Sequence, residues 1–359
     1  MIASGAIKRR VKLGIRRCLT TSRMTDVIRA SASPRLLVFN YHRIREAHQA
    51  TRFDPELYGP DQVQFSSQIE WIARRYDILS EDRLAALVES GMKLTRHSAM
   101  ITFDDGYRDN YELAYPILKA KRVPAVFFIP TGSIVERTLG PWDIIAWMVQ
   151  GSTRKTITLR GHDFATTGEA GRTSIRDLIS LWKLLPGNEV STFLEELGTA
   201  ADVRMPSRDE QDAELMTWDH LREVSRNAVA IGSHTHSHSV LAGLDLAAQK
   251  EELRVSKALL ERNLGVEVRS LAYPVGLYEH FHVESKELAR QCGYQFAFSF
   301  LTGFESARIA DPYDIRRAFA PEPIVDLDVA TAFPQHYFGN RSTIETPAHY
   351  VAPLRPTHR

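Results

Sequence analysis

The 359-residue sequence predicts an α/β protein built on a parallel sheet or a barrel. Apolar runs at 36–39, 99–103 and 125–129 are typical of buried strands. Between the first two runs, Phe65 and Ile69 begin an apolar series at helical spacing. Strands that alternate with helices favour parallel neighbours, and barrels of this kind carry their chemistry at the carboxyl ends of the strands. Functional residues are therefore expected at those ends.

The other elements follow from the same patterns in chain order. The polar stretch 45–61 is interrupted by prolines and is predicted to be a loop. Thr217 is a suitable N-cap for a helix, and Gly265 ends a long amphipathic one. Further strands are predicted at 229–232, 270–273 and 296–300. Further helices are predicted at 111–121, 218–226, 246–264 and 283–292.

The alternation of strands and helices breaks between about 137 and 216. The elements predicted for this segment are a helix at 142–149, a hairpin at 156–164, and two helices near 173–185 and 188–198. We interpret the segment as an insertion into a domain formed by residues 31–335. Residues 336–359 have no periodic pattern and are predicted to form a loose tail.

Two adjacent carboxylates, Asp104 and Asp105, come directly after the strand at 99–103. Neighbouring side chains of an extended chain point in opposite directions, so one carboxylate can bind a metal while the other faces a substrate water. An Asp-Asp-Gly sequence is also a common turn. The residues alone leave both interpretations open.

Three histidines follow the strand at 229–232. His234 and His238 have the spacing that places two side chains on one face of a helical turn, whereas His236 points elsewhere. Such a pair is often only a solvated helix face. Together with one carboxylate, however, two imidazoles form a common catalytic zinc site. A second carboxylate beside it could remove a proton from water, which suits hydrolysis of amides and esters.

Three motifs in this order resemble those of the polysaccharide deacetylases with the NodB homology domain, carbohydrate esterase family four. Residues 102–106 are similar to the first motif (Thr-Phe-Asp-Asp-Gly), and residues 233–238 to the second, in its His-Thr-x-x-His form. Residues 271–276 are similar to the third motif, in its Phe-Ala-Tyr-Pro-x-Gly form. Residues 38–43 resemble the opening strand of the same lineage, so the resemblance spans roughly residues 35 to 320.

The resemblance implies a fold and an activity for the domain at 31–335. The fold is a distorted (β/α)7 barrel, here with the helical and hairpin insertion. The activity is removal of N-acetyl groups from N-acetylhexosamine units of an oligosaccharide, a polysaccharide or its lipid-linked precursor. The cofactor is a divalent metal ion, usually Zn²⁺.

The resemblance also implies roles for individual residues. Asp104 would be the general base. Asp105, His234 and His238 would hold the metal. Tyr273 and Pro274 would shape the sugar groove, with the Tyr273 backbone at the oxyanion.

Two features depart from the family pattern. The third motif of many members contains an arginine that orients the base, and Ala272 stands at that place here. Arg316 resembles a later arginine of this branch and could serve instead, although a surface or structural salt-bridge role is an equally open interpretation. The late motif that supplies the family's acid histidine has no clear match. His42, which is also expected to contact substrate, His280 and His336 are the candidates for the acid.

Three tryptophans of the insertion, Trp142, Trp147 and Trp182, suit stacking on sugar rings, and the insertion could form a lid or a wall over the groove. Aromatic residues at helical spacing more often form a core. The sequence favours the core and does not exclude the stacking role.

Charge is nearly balanced over the whole chain, with 45 Lys and Arg against 44 Asp and Glu. This balance argues against a nucleic-acid partner. Residues 1–30 nevertheless contain eight basic side chains and one acidic. A helix at 5–19 would be amphipathic and could contact an anionic membrane surface. A frayed basic terminus or a helix packed on the barrel is the other interpretation of this segment. With no secretory signal visible, we expect a cytoplasmic protein, peripheral at the inner membrane face if the segment binds lipid.

The sequence is also compatible with two other functions. One is a sugar-binding protein that kept the barrel and lost catalysis, which the absent late motif favours. The other is a barrel hydrolase of a non-sugar amide, because fold alone does not determine substrate.

Overall fold

A computed structural model describes residues 23–46, 52–185, 187–227 and 229–338 of the chain. The strands in this part are β1 (Arg35–Tyr41), β2 (Arg43–Arg45), β3 (Tyr58–Asp61), β4 (Asp77–Ile78), β5 (Ser98–Phe103), β6 (Ala125–Ile129), β7 (Thr156–Leu159), β8 (His162–Ala165), β9 (Val229–Ser233), β10 (Ser270–Ala272), β11 (Phe296–Thr302), β12 (Glu305–Ser306) and β13 (Ile315–Phe319).

The α-helices of the described residues are α1 (Met24–Ser31), α2 (Gln62–Arg75), α3 (Glu81–Ser90), α4 (Tyr115–Lys121), α5 (Thr131–Glu136), α6 (Pro141–Gly151), α7 (Gly168–Trp182), α8 (Val190–Ala201), α9 (Arg208–Asp212), α10 (Trp218–Ser225), α11 (Leu246–Leu264), α12 (Val283–Gln291), α13 (Ile324–Ala332) and α14 (Pro334–Tyr337). A π-helical turn at Asn110–Ala114 precedes α4, and short 3-10 turns occupy Gly187–Glu189 and Leu241–Gly243.

Seven parallel strands close into a barrel in the order β1, β13, β11, β10, β9, β6 and β5. The ring closes where β5 pairs with β1 in parallel, from Leu36 opposite Ser98 to Tyr41 opposite Phe103. Two short strands lie outside the ring: β4 pairs with β5, and β12 pairs antiparallel with β1. The predicted (β/α)7 barrel is therefore confirmed.

The barrel and the 137–216 segment have separate apolar cores. Barrel strands bury residues such as Phe39, Phe103 and Phe127 in one cluster. Helices α6, α7 and α8 and the β7–β8 hairpin bury a second cluster around Ile145 and Phe193. Because Tyr107 and Leu215 pair as an isolated bridge and both belong to this second core, the segment is fastened to the barrel beside the end of β5.

Some predicted segments differ from the structure or lie outside its described part. The loop predicted at 45–61 contains β3, which pairs with β2. The helix predicted at 5–19 and most of the tail predicted at 336–359 fall outside the described residues. Within the described part, helix α1 packs against α13, where the Thr25 hydroxyl donates to Asp328 at 2.9 Å. Among the described helices, none combines the length and the apolar character needed to span a membrane.

Candidate active site

The predicted metal ligands and base lie at the carboxyl ends of two barrel strands. Asp104 and Asp105 follow the last residue of β5, and His234 follows the last residue of β9. Strand β6 lies between these two and pairs in parallel with both, so the ends of β5 and β9 open on the same side of the barrel. This is where a barrel of parallel strands carries its chemistry.

Asp105, His234 and His238 converge on one point. One potential ligand atom from each lies within 4.8 Å of the others. The Asp105 Oδ1 atom is 3.6 Å from Nε2 of His234 and 3.4 Å from Nε2 of His238. Asp105 reaches this position with a left-handed backbone at φ 74°. We call these residues the ligand triad.

Burial prepares the triad for a cation. Burial lowers the pKa of His234 to about 4, which leaves its imidazole neutral with a free lone pair. Burial alone would raise the pKa of Asp105, but the adjacent imidazoles, His238 foremost, hold that pKa well below its usual range. Within the described part of the chain, Asp105 Oδ1 is buried and accepts no hydrogen bond. A carboxylate oxygen and two imidazole nitrogens are ligand types of Zn²⁺, so these residues fit a divalent metal.

The two histidines of the triad are held in different ways. His234 donates its Nδ1 hydrogen to the Ala272 carbonyl at 2.7 Å, which directs Nε2 towards Asp105. His238 packs its ring against Trp142 with the centroids 4.4 Å apart. Its Nδ1 is buried and makes no hydrogen bond to any described residue. One ligand is thus fixed by a hydrogen bond and the other by packing.

The histidines converge through a loop and not through the predicted turn of helix. Thr235 and His238 have left-handed backbones, with φ of 63° and 57°, which no helical turn allows. The start of α5 anchors this loop, because the Gly132 N–H donates to the His236 carbonyl at 2.7 Å. The Glu252 carboxylate accepts the N–H of His236 from the other side at 2.9 Å. His236 itself faces Thr131, outside the triad.

Asp104 lies in a separate pocket built by three strands. Its Oδ1 accepts from Arg317 Nη1 at 2.8 Å, and its Oδ2 accepts from Asn40 Nδ2 at 3.1 Å. The amide of Asn40 is itself fixed, because its Oδ1 accepts from Thr102 Oγ1 at 2.7 Å. Burial raises the pKa of Asp104, but the Arg317 guanidinium and the nearby imidazoles more than offset this effect. Asp104 therefore stays ionised at neutral pH. We call Asp104, Asn40 and Arg317 the base pocket.

The prediction that Arg316 orients the base is wrong, because Arg317 makes that contact. Successive side chains of a strand point to opposite faces, so a shift of one residue exchanges inside and outside. Arg317 points into the barrel, whereas Arg316 lies 3.4 Å through Nη2 from the Tyr278 hydroxyl. Both are about 1% exposed. The two adjacent arginines indicated that one of them contacts the base, but the sequence alone does not show which side chain faces the barrel interior.

The residues predicted to bind substrate have different surroundings. His42 places Nε2 3.9 Å from Asp104 Oδ2, with its ring beside Phe300 and Phe319. Tyr273 is buried, and its backbone N–H donates to the Phe298 carbonyl at 3.0 Å. The backbone role predicted for Tyr273 is therefore wrong, because this N–H is already used in the barrel.

The remaining predicted residues contact groups outside the base pocket. Pro274 is buried, and its carbonyl accepts from the Gly276 N–H at 2.6 Å. His280 accepts from the Leu277 N–H through Nδ1 at 3.3 Å. His336 lies on α14 with its ring nearest Phe333. Of the three candidates for the acid, only His42 contacts the base.

The three tryptophans of the insertion form its core. Trp142, Trp147 and Trp182 are 8%, 7% and 8% exposed and belong to the second apolar cluster. The core interpretation favoured by their spacing therefore describes them better than sugar stacking does. Trp142 has a further contact that the sequence did not indicate, since it touches His238.

Comparisons with known proteins agree with this arrangement. A family model for polysaccharide deacetylases matches residues 91–179 and 188–297. The chain is 35% identical over 120 residues to the poly-beta-1,6-N-acetyl-D-glucosamine N-deacetylase of Staphylococcus aureus (strain MSSA476), an alignment that covers 31% of this chain and 41% of that relative. The chain thus spans about two fifths of the length of these curated relatives.

Two solved structures share the fold. The deacetylase PplD of Streptococcus pyogenes, in complex with acetate, superposes with a TM-score of 0.55 at 16% identity, covering 84% of this chain and 99% of that one. IcaB from Ammonifex degensii superposes with a TM-score of 0.53 at 17% identity, covering 84% and 97%. At these identities the likeness shows the fold alone. Because the family model matches more than half of the sequence, including both aspartates and the three histidines, the chain belongs to the polysaccharide deacetylase family.

Proposed function

We propose that this protein is a metal-dependent hydrolase that removes N-acetyl groups from N-acetylhexosamine units of an oligosaccharide, a polysaccharide or its lipid-linked precursor. One observation carries the proposal: a carboxylate held ionised by Arg317 lies next in sequence to a carboxylate that converges with two imidazoles. A base beside three potential metal ligands can support the hydrolysis of an amide by water.

Asp105, His234 and His238 would hold the ion, and a divalent metal bound there polarises an amide carbonyl and acidifies water. Asp104 accepts the proton as the water oxygen attacks the acetamide carbon. Arg317 and Asn40 keep the Asp104 carboxylate in one orientation throughout, since each occupies a different oxygen. Proton transfer of this kind depends on a base that is both ionised and positioned.

His42 is the residue we assign to protonate the leaving nitrogen. It is the histidine that contacts the base pocket and takes no part in the ligand triad. Cleavage of the carbon–nitrogen bond with proton transfer to nitrogen yields acetate and a free amino sugar. This assignment replaces the late family histidine, for which the sequence has no clear match.

The sugar substrate is taken from the relatives. The Staphylococcus aureus protein is named as a deacetylase of a β-1,6-linked N-acetylglucosamine polymer. We therefore assign an N-acetylhexosamine substrate to this chain. Contact of the basic segment 1–30 with the inner membrane face would suit a lipid-linked form of that substrate.

Metal content and acetate release together test the proposal. The purified protein should bind about one equivalent of zinc, and a His234→Ala/His238→Ala variant almost none, since the metal loses two of three protein ligands. Acetate should be released from N-acetylglucosamine oligomers by the first protein only. Absence of metal after zinc addition would refute the mechanism. Metal binding without acetate release from any acetylated sugar would favour a catalytically inactive sugar-binding protein.

A further inference from the structure

A buried network joins the insertion to the ligand triad and has no part in the proposed reaction. The Trp142 indole N–H donates to the Tyr107 hydroxyl at 2.7 Å, and that hydroxyl donates to Asp143 at 2.6 Å. The Arg43 guanidinium lies 4.3 Å above the Tyr107 ring. Trp142 and Asp143 belong to α6, whereas Tyr107 comes two residues after Asp105. The network therefore spans the join between insertion and barrel.

The surroundings of His238 show what this network can do. Metal-binding histidines almost always donate their second ring N–H to a partner that fixes the orientation of the ring. His234 has such a partner in the Ala272 carbonyl. Among the described residues, no hydrogen bond reaches Nδ1 of His238. Instead, its ring lies against the Trp142 indole, with the centroids 4.4 Å apart and the planes at 50°.

The indole of Trp142 is itself held in a single place. Its N–H is fixed by Tyr107, and its ring lies beside that of Trp182, with 5.7 Å between the centroids. Gly140 makes room for it, because a Cβ atom at that position would come within 2.3 Å of the indole ring. Because the indole is so tightly enclosed, it provides a rigid surface against which the His238 ring packs.

We propose that Trp142 is a positioning residue that orients His238 for metal binding, and that Tyr107 and Asp143 hold the indole in place. The inference rests on the proposed function, since it assumes that the triad binds a metal. It gives the insertion a different role from a lid or a wall over the substrate groove. The insertion completes the metal site by supplying the contact that a hydrogen bond supplies to His234.

Zinc affinity of the full chain, measured by competition with a chromophoric chelator, tests this role. Trp142→Leu should weaken zinc binding about 10- to 100-fold, the usual effect of removing a residue that orients a metal ligand. Trp147→Leu is the matched control: Trp147 lies on the same helix and in the same core, is 7% exposed against 8%, and donates to the Arg204 carbonyl instead. Its zinc affinity should stay close to that of the wild type.

A milder variant and a spectrum make the test independent of folding losses. Tyr107→Phe removes only the hydroxyl that anchors the indole and should weaken zinc binding about tenfold. With cobalt(II) in place of zinc, the d–d absorption of Trp142→Leu should differ from that of the wild type at saturation, and that of Trp147→Leu should not. Equal losses in Trp142→Leu and Trp147→Leu, or unchanged affinity in both Trp142→Leu and Tyr107→Phe, would overturn the inference. If the wild type itself binds no metal, the proposed function fails instead.

Discussion

Asp104 and Asp105 are neighbours in sequence, yet the two regions around them are built differently. In the base pocket, both oxygens of Asp104 accept hydrogen bonds from side chains of other barrel strands. In the ligand triad, Asp105 Oδ1 is buried without a hydrogen bond to any described residue. Burying polar atoms unpaired is costly unless something else satisfies them. The barrel thus completes the base by itself, whereas the triad is arranged for an ion.

Replacing the base should give the largest difference between the two regions, because it should abolish the function of the base pocket and leave metal binding by the ligand triad intact. Asp104→Asn keeps an acceptor for Arg317 but cannot take a proton. Acetate release should fall by about 10²- to 10⁴-fold, the usual contribution of a positioned base, while the zinc stoichiometry stays unchanged. Parallel measurements of turnover and metal content check this. If the variant lost its metal, Asp104 would be one of the metal ligands, and the separation of the base pocket from the ligand triad would be incorrect.

The tandem arginines allow a matched test of the base pocket. Arg317→Met removes the cation that keeps Asp104 ionised, so turnover should drop on the order of 10²-fold. Arg316→Met removes an equally buried arginine that faces Tyr278, and it should retain most of its activity per folded molecule. Steady-state rates normalised to folded protein by circular dichroism decide the matter. Similar losses in the two variants would mean that turnover depends on a buried positive charge and not on its contact with Asp104.

Glu81 on α3 is a buried carboxyl outside the site, and it can be compared with Asp104 and Asp105. It accepts a hydrogen bond from the Ser270 hydroxyl, and burial raises its pKa to about 7 from 4.5. Because the folded state holds the proton more tightly than the unfolded state, the stabilisation is complete below about pH 4.5. It is lost as the pH rises through about 7.

Urea unfolding at pH 5 and pH 8 measures this effect. The wild type should lose up to about 3 kcal/mol of unfolding free energy relative to Glu81→Gln over that interval. The Gln variant keeps the shape and the hydrogen bond but cannot titrate. A pH dependence identical in the two proteins would show that Glu81 ionises freely in the fold.

The smallest expected effect comes from the support of the histidine loop. A Cβ atom on Gly132 would lie 2.8 Å from the His236 carbonyl oxygen, so Gly132→Ala must displace the loop or α5. We expect a loss of about 1–3 kcal/mol in unfolding free energy, together with weaker zinc binding. Gly243→Ala is the control, because a Cβ there meets nothing within 4 Å. Thermal unfolding with and without zinc compares the two.

Sequence reasoning located the residues that carry chemistry in short motifs, and it failed where contacts cross the barrel. Asp104, Asp105, His234 and His238 are recognisable because each pair lies within a few positions at a strand end. Asn40 was missed as part of the base pocket because its partner Asp104 is on another strand. Arg316 was chosen over Arg317 because the facing of a strand residue depends on a register that the sequence does not show.

The conformation of the histidine loop and the contact made by the insertion were also not predictable from the sequence. A His-x-x-x-His spacing predicts a helical turn, but anchoring by Gly132 and Glu252 imposes a loop instead. Tertiary contacts overrode the local preference there. The contact of Trp142 with His238 joins residues from the insertion and from the loop after β9, and no periodic pattern marks it.

The closure of the barrel has a consequence for the order in which the protein becomes active. Asn40 and Arg317 are 277 positions apart in the chain, and they meet Asp104 only when β1 has β5 on one side and β13 on the other. The ligand triad, by contrast, consists of residues between Asp105 and His238, and the groups that hold its histidines come no later in the chain than Ala272. Contacts so distant in sequence are slow to form, because long loops must close first. During refolding, zinc binding should therefore appear before hydrolysis, and a nascent chain that has not yet produced β13 cannot cleave its substrate prematurely.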